Sequence, residues 1–231
     1  MSDTAVVIYL SDITNVSLSE QAFQAIRRMI VTLELAPGAV VRDDLLQQHL
    51  GLGRTPIREA LQRLVRDQFV TIIPRRGMFV SSIDVSELSM LYETRAILEP
   101  YVMRLASARG RPSDWAAMAA ALARATPRSS ATDLLEIDRE CREIVWAAAG
   151  NRFLTATLDM LYAQSDRLWH LYLADVAALD EVIDEHRAIH AALVAGDGDR
   201  AAALIESHMR AFNDKIADAV RRRLESPLAG F

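Results

Sequence analysis

Between residues 85 and 224, apolar residues recur at spacings of three and four with only short interruptions. That periodicity constrains the fold more than any other feature of the chain. The interruptions are Gly110-Arg111-Pro112, Thr126-Pro127, Gly150-Asn151, the neighbourhood of Asp175, and Gly196-Asp197-Gly198. They divide the segment into expected helices at 85–109, 113–125, 131–149, 152–173, 177–195 and 198–224. Gly (9) and Pro (7) are scarce among the 231 residues, which argues against a β-sandwich, a collagen-like chain or a disordered one. Apolar residues make up 51%, enough to fill the core of such a bundle.

The first 83 residues follow a different pattern. A tail of about 17 residues holds β-prone Val6, Val7 and Ile8. Phe23, Ile26, Ile30 and Leu33 then share a helical face, and Pro37-Gly38 is expected to end that helix. A shorter helix over 43–50 carries Leu45, Leu46 and Leu50, and Gly51 and Gly53 break it. Thr55 is the expected N-cap of a third helix, with Pro56 at its first position and an end near Gln68. Residues 70–73 and 78–81 read as two strands joined by Pro74-Arg75-Arg76-Gly77. The expected class is therefore mainly α, with a boundary at 81–85. Residues 18–82 form a three-helix unit with a hairpin, and residues 84–226 form an all-helical bundle.

Net charge is −5 but unevenly spread: residues 1–83 sum to +1 and residues 84–231 to −6. Residues 54–76 hold six Arg against Glu59 and Asp67, a local excess of +4 that suits phosphate. The single cysteine, Cys141, excludes an intramolecular disulfide and fits a reducing compartment. No apolar run approaches the ~20 residues of a membrane span, and no signal peptide is visible. The expected location is the cytoplasm.

Three helices with a Gly-containing break between the second and third make a helix-turn-helix arrangement. The polar face of the third helix presents Arg54, Thr55, Arg58, Gln62 and Arg66. Arg pairs with guanine or phosphate and Gln with adenine, so this face suits a DNA groove. Arg75, Arg76 and the adjacent Gly77 form a basic hairpin tip suited to the DNA backbone or minor groove. Leu35-Ala-Pro-Gly38, Gly53-Arg-Thr-Pro-Ile-Arg-Glu-Ala-Leu61 and Arg76-Gly-Met-Phe-Val80 occur in order over about 60 residues. Together they resemble the winged helix-turn-helix of GntR-type bacterial transcription regulators. The resemblance implies contacts with double-stranded operator DNA from Arg54, Thr55, Arg58 and the wing tip at Arg76 and Gly77. It also implies a homodimer on a pseudo-palindromic site. Gly53 replaces the family's usual Ser, and Asp44 stands where some members carry a DNA-contacting Arg.

In the helical part, four apolar stripes are each interrupted by one polar residue. Arg95 interrupts Leu88, Leu91, Leu98, Val102 and Leu105. Asp138 interrupts Leu134, Cys141, Val145 and Ala148. His186 falls among Leu179, Val182, Ile183, Ile189 and Leu193, and His208 among Ala201, Leu204, Ile205, Phe212 and Ile216. A guanidinium aimed inward needs an anion, for which Glu99 or a bound ligand serves. Asp138 with two imidazoles is a plausible set for Zn²⁺ or another divalent transition metal. The segments Tyr92–Glu99, Asp138 with Gly150-Asn151, and Glu185–Ile189 followed by His208 resemble the FCD effector-binding domain of FadR-type GntR regulators. That resemblance implies metal ligands at Asp138, His186 and His208 and a small-molecule effector; Arg95, Arg142 and Asn151 are the residues expected to meet a carboxylate effector. The family's fourth ligand, a His, is Arg142 here. Arg cannot deprotonate or coordinate, so three arrangements stand open. In the first, water completes a metal shell on Asp138, His186 and His208. In the second, Cys141 or His190 replaces the lost ligand. The third is metal-free, with Arg142 and Arg95 binding the anion.

The function so expected is a DNA-binding regulator, a repressor rather than an enzyme, controlled by a carboxylate metabolite. Two rivals compete: a metal-dependent enzyme built on Asp138 and the histidines, and a purely structural dimerisation module. The enzyme reading finds no Gly-rich phosphate loop and no nucleophile elbow, and it leaves residues 54–76 without a role.

Overall fold

The computed structural model describes residues 16–84, 87–172 and 180–225. Residues 6–8, the break near Asp175 and Leu179 of the His186 stripe lie outside the described residues. The chain divides between Ile83 and Asp84 into two compact units.

The first unit contains α1 (Leu18–Val31), β1 (Val40–Val41), α2 (Asp43–Leu50), α3 (Arg54–Arg66), β2 (Val70–Ile73) and β3 (Gly77–Val80). Ser17 caps α1 by accepting from Glu20 N–H at 3.2 Å. Ala22, Phe23, Ile26 and Ile30 of α1 pack on Ile57, Ala60, Leu61 and Leu64 of α3, all 0–1% exposed. α2 ends at Gly51, whose φ of 64° favours glycine. β3 lies between β1 and β2, antiparallel to both, with Val40 opposite Phe79 and Ile73 opposite Gly77.

Three local expectations change. α1 ends at Val31 rather than near Pro37: Leu33 turns left-handed (φ 63°), and Leu35 N–H bonds Met29 C=O at 2.9 Å. The apolar rhythm outlasts the helix because Leu33 stays half-buried in the turn. α3 begins earlier than a Thr55 cap predicts, with Gly53 as N-cap and Arg54 as first helical residue. Pro56 still lies in the first turn, where its missing N–H costs nothing. α3 ends at Arg66, and Gln68 is left-handed (φ 64°). The sheet also has a third strand, β1, because two residues are too few to show alternation and are held only by pairing with β3.

The second unit is helical among its described residues: α4 (Leu88–Arg109), α5 (Pro112–Ala123), α6 (Ala131–Ala148), α7 (Arg152–Tyr172), α8 (Asp180–Val194) and α9 (Gly198–Glu225). Asp114 and Ser130 satisfy free N–H groups at the starts of α5 and α6. α4 packs against α6, α7, α8 and α9, so its inward residues face four neighbours at once. The whole is mainly α with one small sheet, as the periodicity predicts.

Candidate nucleic-acid interface and buried ionic cluster

Arg54, Thr55, Arg58 and Gln62 are all exposed on one side of α3, opposite the face that packs on α1. Arg66 continues that side, whereas Arg63 leaves it: its guanidinium lies 3.7 Å from the Phe23 ring centre and pairs with Glu20. Arg63 is thus an α1–α3 tie. Arg58 is 57% exposed and donates Nε–H to Asp43 at 3.1 Å, which holds it at the α2 end of the surface. Arg42 donates to Asp44 at 2.7 Å, and that bond holds the Asp44 carboxyl below its usual value. The acid at this position is therefore neutralised locally. At the wing, Arg76 N–H bonds Ile73 C=O at 3.0 Å and Arg75 has φ 65°. This is the pattern of a type II turn with Pro74 second, and it leaves Arg75, Arg76 and Gly77 exposed. Arg54, Arg75 and Arg76 make no ion pair with described residues, so their charges are available to an anion.

In the second unit, Arg95, Glu99, Asp138, Arg142, His186 and His208 are all buried. The ligand atoms of Asp138, His186 and His208 lie within 4.8 Å of one another. Arg142 sits among them. Its Nε–H donates to Asp138 Oδ2 at 3.0 Å, its Nη1–H to Glu99 Oε2 at 2.6 Å, and its Nη2 lies 2.6 Å from His208 Nε2. Arg95 donates Nε–H to the other Glu99 oxygen at 2.7 Å. Asp138 also accepts from Tyr162 O–H at 2.7 Å and meets His186 Nε2 at 2.5 Å. His208 Nδ1 is 2.6 Å from Glu185 Oε2, so Nδ1 carries the hydrogen and Nε2 accepts from Arg142.

Charge in the cluster follows from these contacts. Burial drives the Asp138 carboxyl up, but Arg142 and His186 outweigh it and hold the group well below its usual value. Burial likewise opposes ionisation of Glu99, and Arg95 and Arg142 overcome it. Burial pushes His208 down to about 4 despite Glu185, which keeps the imidazole neutral. Burial and Asp138 push the Cys141 thiol up to about 12.

Neither proposed substitute joins the trio. His190 Nε2 bonds Trp115 C=O at 2.9 Å, and Cys141 remains a buried thiol. Asn151 is also elsewhere: its Oδ1 caps α7 by accepting from Phe153 and Leu154 N–H. Arg95 and Arg142 do come together, at a pocket lined also by Trp169, Phe212, Met209 and Asn213. Its cavity volume is about 20 Å³, room for about one water, so a larger ligand enters only if the walls part.

Residues 18–80 match the family of bacterial regulatory proteins, gntR family, and residues 90–211 match the FCD domain. The chain belongs to the GntR family of transcription regulators, with an FCD domain. A relative is the HTH-type transcriptional repressor GlaR of Escherichia coli K12, 28% identical over 203 residues, 83% of this chain and 92% of that protein. The Nta operon transcriptional regulator of Aminobacter aminovorans is 28% identical over 195 residues, 84% of this chain and 91% of that one. The solved structure of E. coli McbR/YncC shares the fold with TM-score 0.77 at 23% identity, covering 90% and 99% of the two chains. This GntR-family protein is therefore a transcription regulator, not an enzyme, and no described helix is long and apolar enough to cross a membrane.

Sequence reasoning left Tyr162 and Glu185 of the regulator's cluster, and Trp169 of the adjoining pocket, without a role. Tyr162 and Trp169 look like ordinary core aromatics, and Glu185 precedes His186 without a visible partner. Their roles come from α7 and α8 packing beside α6 and α9. No sequence signal marks the pairing: Glu185 neighbours His186, yet it bonds His208, 23 positions away on α9.

Proposed function

We propose that this regulator is a homodimeric repressor whose affinity for operator DNA is set by a small carboxylate bound between α4, α6, α7 and α9. Arg54, Thr55, Arg58 and Gln62 read the major groove, and Arg75, Arg76 and Gly77 of the wing hold the backbone or minor groove. The name of the GlaR relative supports repression.

The observation that carries the effector reading is the pocket's unmatched polar chemistry. The guanidinium groups of Arg95 and Arg142, whose charges Glu99 and Asp138 balance, form a floor of N–H donors below the apolar walls of Leu88, Trp169, Met209 and Phe212. Arg95 uses Nε and Nη2 on Glu99 and leaves Nη1 without a hydrogen bond to the described residues. The buried Trp169 Nε1–H and Asn213 Oδ1 on the same pocket also lack partners among the described residues. Such groups are costly when buried unless a ligand meets them. A carboxylate accepting from Arg95 and Trp169, with an apolar body against the aromatic wall, satisfies the two donors, and a hydroxyl on the same ligand would donate to Asn213 Oδ1.

Thermal shift against a panel of small carboxylates, followed by retardation of the promoter fragment beside its own gene, tests this reading. At least one carboxylate should raise the melting temperature and release the fragment, and Arg95→Met should weaken that carboxylate's binding roughly tenfold or more. A folded protein that retards the fragment yet responds to no carboxylate overturns the effector reading.

A further inference from the structure

We infer that the Arg142 guanidinium occupies the place a divalent cation would take among Asp138, His186 and His208, so that this FCD domain folds without a bound metal. Ligand spacing alone would admit an ion. The three donor atoms lie within 4.8 Å of one another, and small side-chain shifts would bring each to the about 2.0–2.2 Å that an ion requires. Occupancy decides against it. Two of the three donor residues are already bonded to a fixed cation, with Arg142 Nη2 at 2.6 Å from His208 Nε2 and Nε at 3.0 Å from Asp138 Oδ2. The lone pair that His208 would give a metal is the one that accepts from Arg142. Arginine stays protonated and cannot become a ligand.

A metal ion would have to expel this side chain, which is 1% exposed and also bonds Glu99 at 2.6 Å. The expelled charge would lose three partners at once. The charge balance agrees: Asp138 and Glu99 are matched by Arg142 and Arg95. A divalent ion added beside the guanidinium leaves a buried excess of positive charge, which interiors do not tolerate. The outer shell is also only half built for a metal. Glu185 orients His208 through Nδ1, as metal-bound histidines require, but His186 Nδ1 is buried with no partner among the described residues.

Arg142 thus does the organising work of an ion. One side chain ties α6 to α4 through Glu99 and to α9 through His208, and Glu185 extends the chain of bonds to α8. The exclusion also hangs on one residue. Position 142 is one helical turn from Asp138, and i,i+4 spacing is how a helix offers two ligands to one ion. Replacing the guanidinium with imidazole removes the competing cation and adds a donor.

The test needs neither operator nor effector, so it stands apart from the functional reading. Purified without chelator or affinity metal, the full-length protein is analysed for metal content, and its melting temperature is measured with EDTA and with Zn²⁺. The expected result is substoichiometric metal and a melting temperature indifferent to both additions. Arg142→His should bind about one Zn²⁺ per chain. At Zn²⁺ about 100-fold above its dissociation constant it should melt roughly 5–10 °C higher. Arg142→His/His186→Ala should lose that rise, and Arg142→Lys should stay indifferent to zinc. Tightly held stoichiometric metal in the unaltered protein, with loss of stability in EDTA, overturns the inference. So does a folded Arg142→His that ignores zinc. If Arg142→His does not fold, the metal content and EDTA response of the unaltered protein decide the matter.

Discussion

Replacing Arg142 with methionine keeps most of the side-chain volume and deletes the charge, so the change isolates what the guanidinium contributes to stability. Removing one partner of a buried ion pair costs about 3–5 kcal/mol. The lower end applies here, because neither carboxylate is stripped bare. Asp138 keeps Tyr162 O–H at 2.7 Å and His186 at 2.5 Å, and Glu99 keeps Arg95 at 2.7 Å. A loss of about 3 kcal/mol is expected, or roughly 6–12 °C in melting temperature for a protein of this size. Urea denaturation at pH 7 measures the first figure and calorimetry the second. The pH dependence supplies an independent signature. Asp138 is held well below its usual value, chiefly by Arg142 against burial. Its contribution in the unaltered protein is present above the ordinary carboxylate range and is lost as pH falls through its lowered folded value. Without Arg142, Asp138 takes up its proton at higher pH, so the stability gap should narrow as pH falls from 7 toward 4. A loss under about 1 kcal/mol with no change in the gap across that range would falsify the reasoning.

Arg58→Ala removes an exposed groove-facing guanidinium and should weaken operator binding by roughly tenfold or more per half-site without altering the melting temperature; an unchanged affinity in fluorescence anisotropy sinks the role of α3. Arg75→Ala with Arg76→Ala should weaken binding to every DNA sequence alike and flatten the salt dependence by up to ~1 slope unit for each phosphate no longer neutralised. An unaltered slope means that the wing tip does not touch DNA. His208 is pushed down by burial to about 4 from an ordinary value of 6.5. The unfolded chain therefore takes up a proton between those values while the folded one does not, and stability should fall by about 3 kcal/mol as pH drops from 6.5 to 4. His208→Gln should reduce that slope, and an identical pH profile for the two proteins counts against a neutral buried imidazole.

Local chemistry made much of this protein legible in one dimension. A 3.6-residue period separates faces, so α3 could be divided into a buried side (Ile57, Ala60, Leu61, Leu64) and an exposed side (Arg54, Arg58, Gln62) without coordinates. The same period marked Arg95, Asp138, His186 and His208 as inward, because a polar residue in an apolar stripe has nowhere else to point. Glu99 was visible as a partner for Arg95 because the two are one helical turn apart. Reach ended with neighbours along the helix. Arg142 is four residues from Asp138, but its other two partners, Glu99 and His208, are 43 and 66 positions away. No spacing rule links such positions, and only the packing of α4 and α9 against α6 brings them together. Tyr162 and Glu185 entered the cluster in the same way, and Val40–Val41 became a strand because β3 lay beside it. Sequence thus determined which residues turn inward, since that follows from helical geometry and the cost of burying charge. Which charge meets which was decided by tertiary structure, since hydrogen bonds act over about 3 Å and only the packed helices set distances that short.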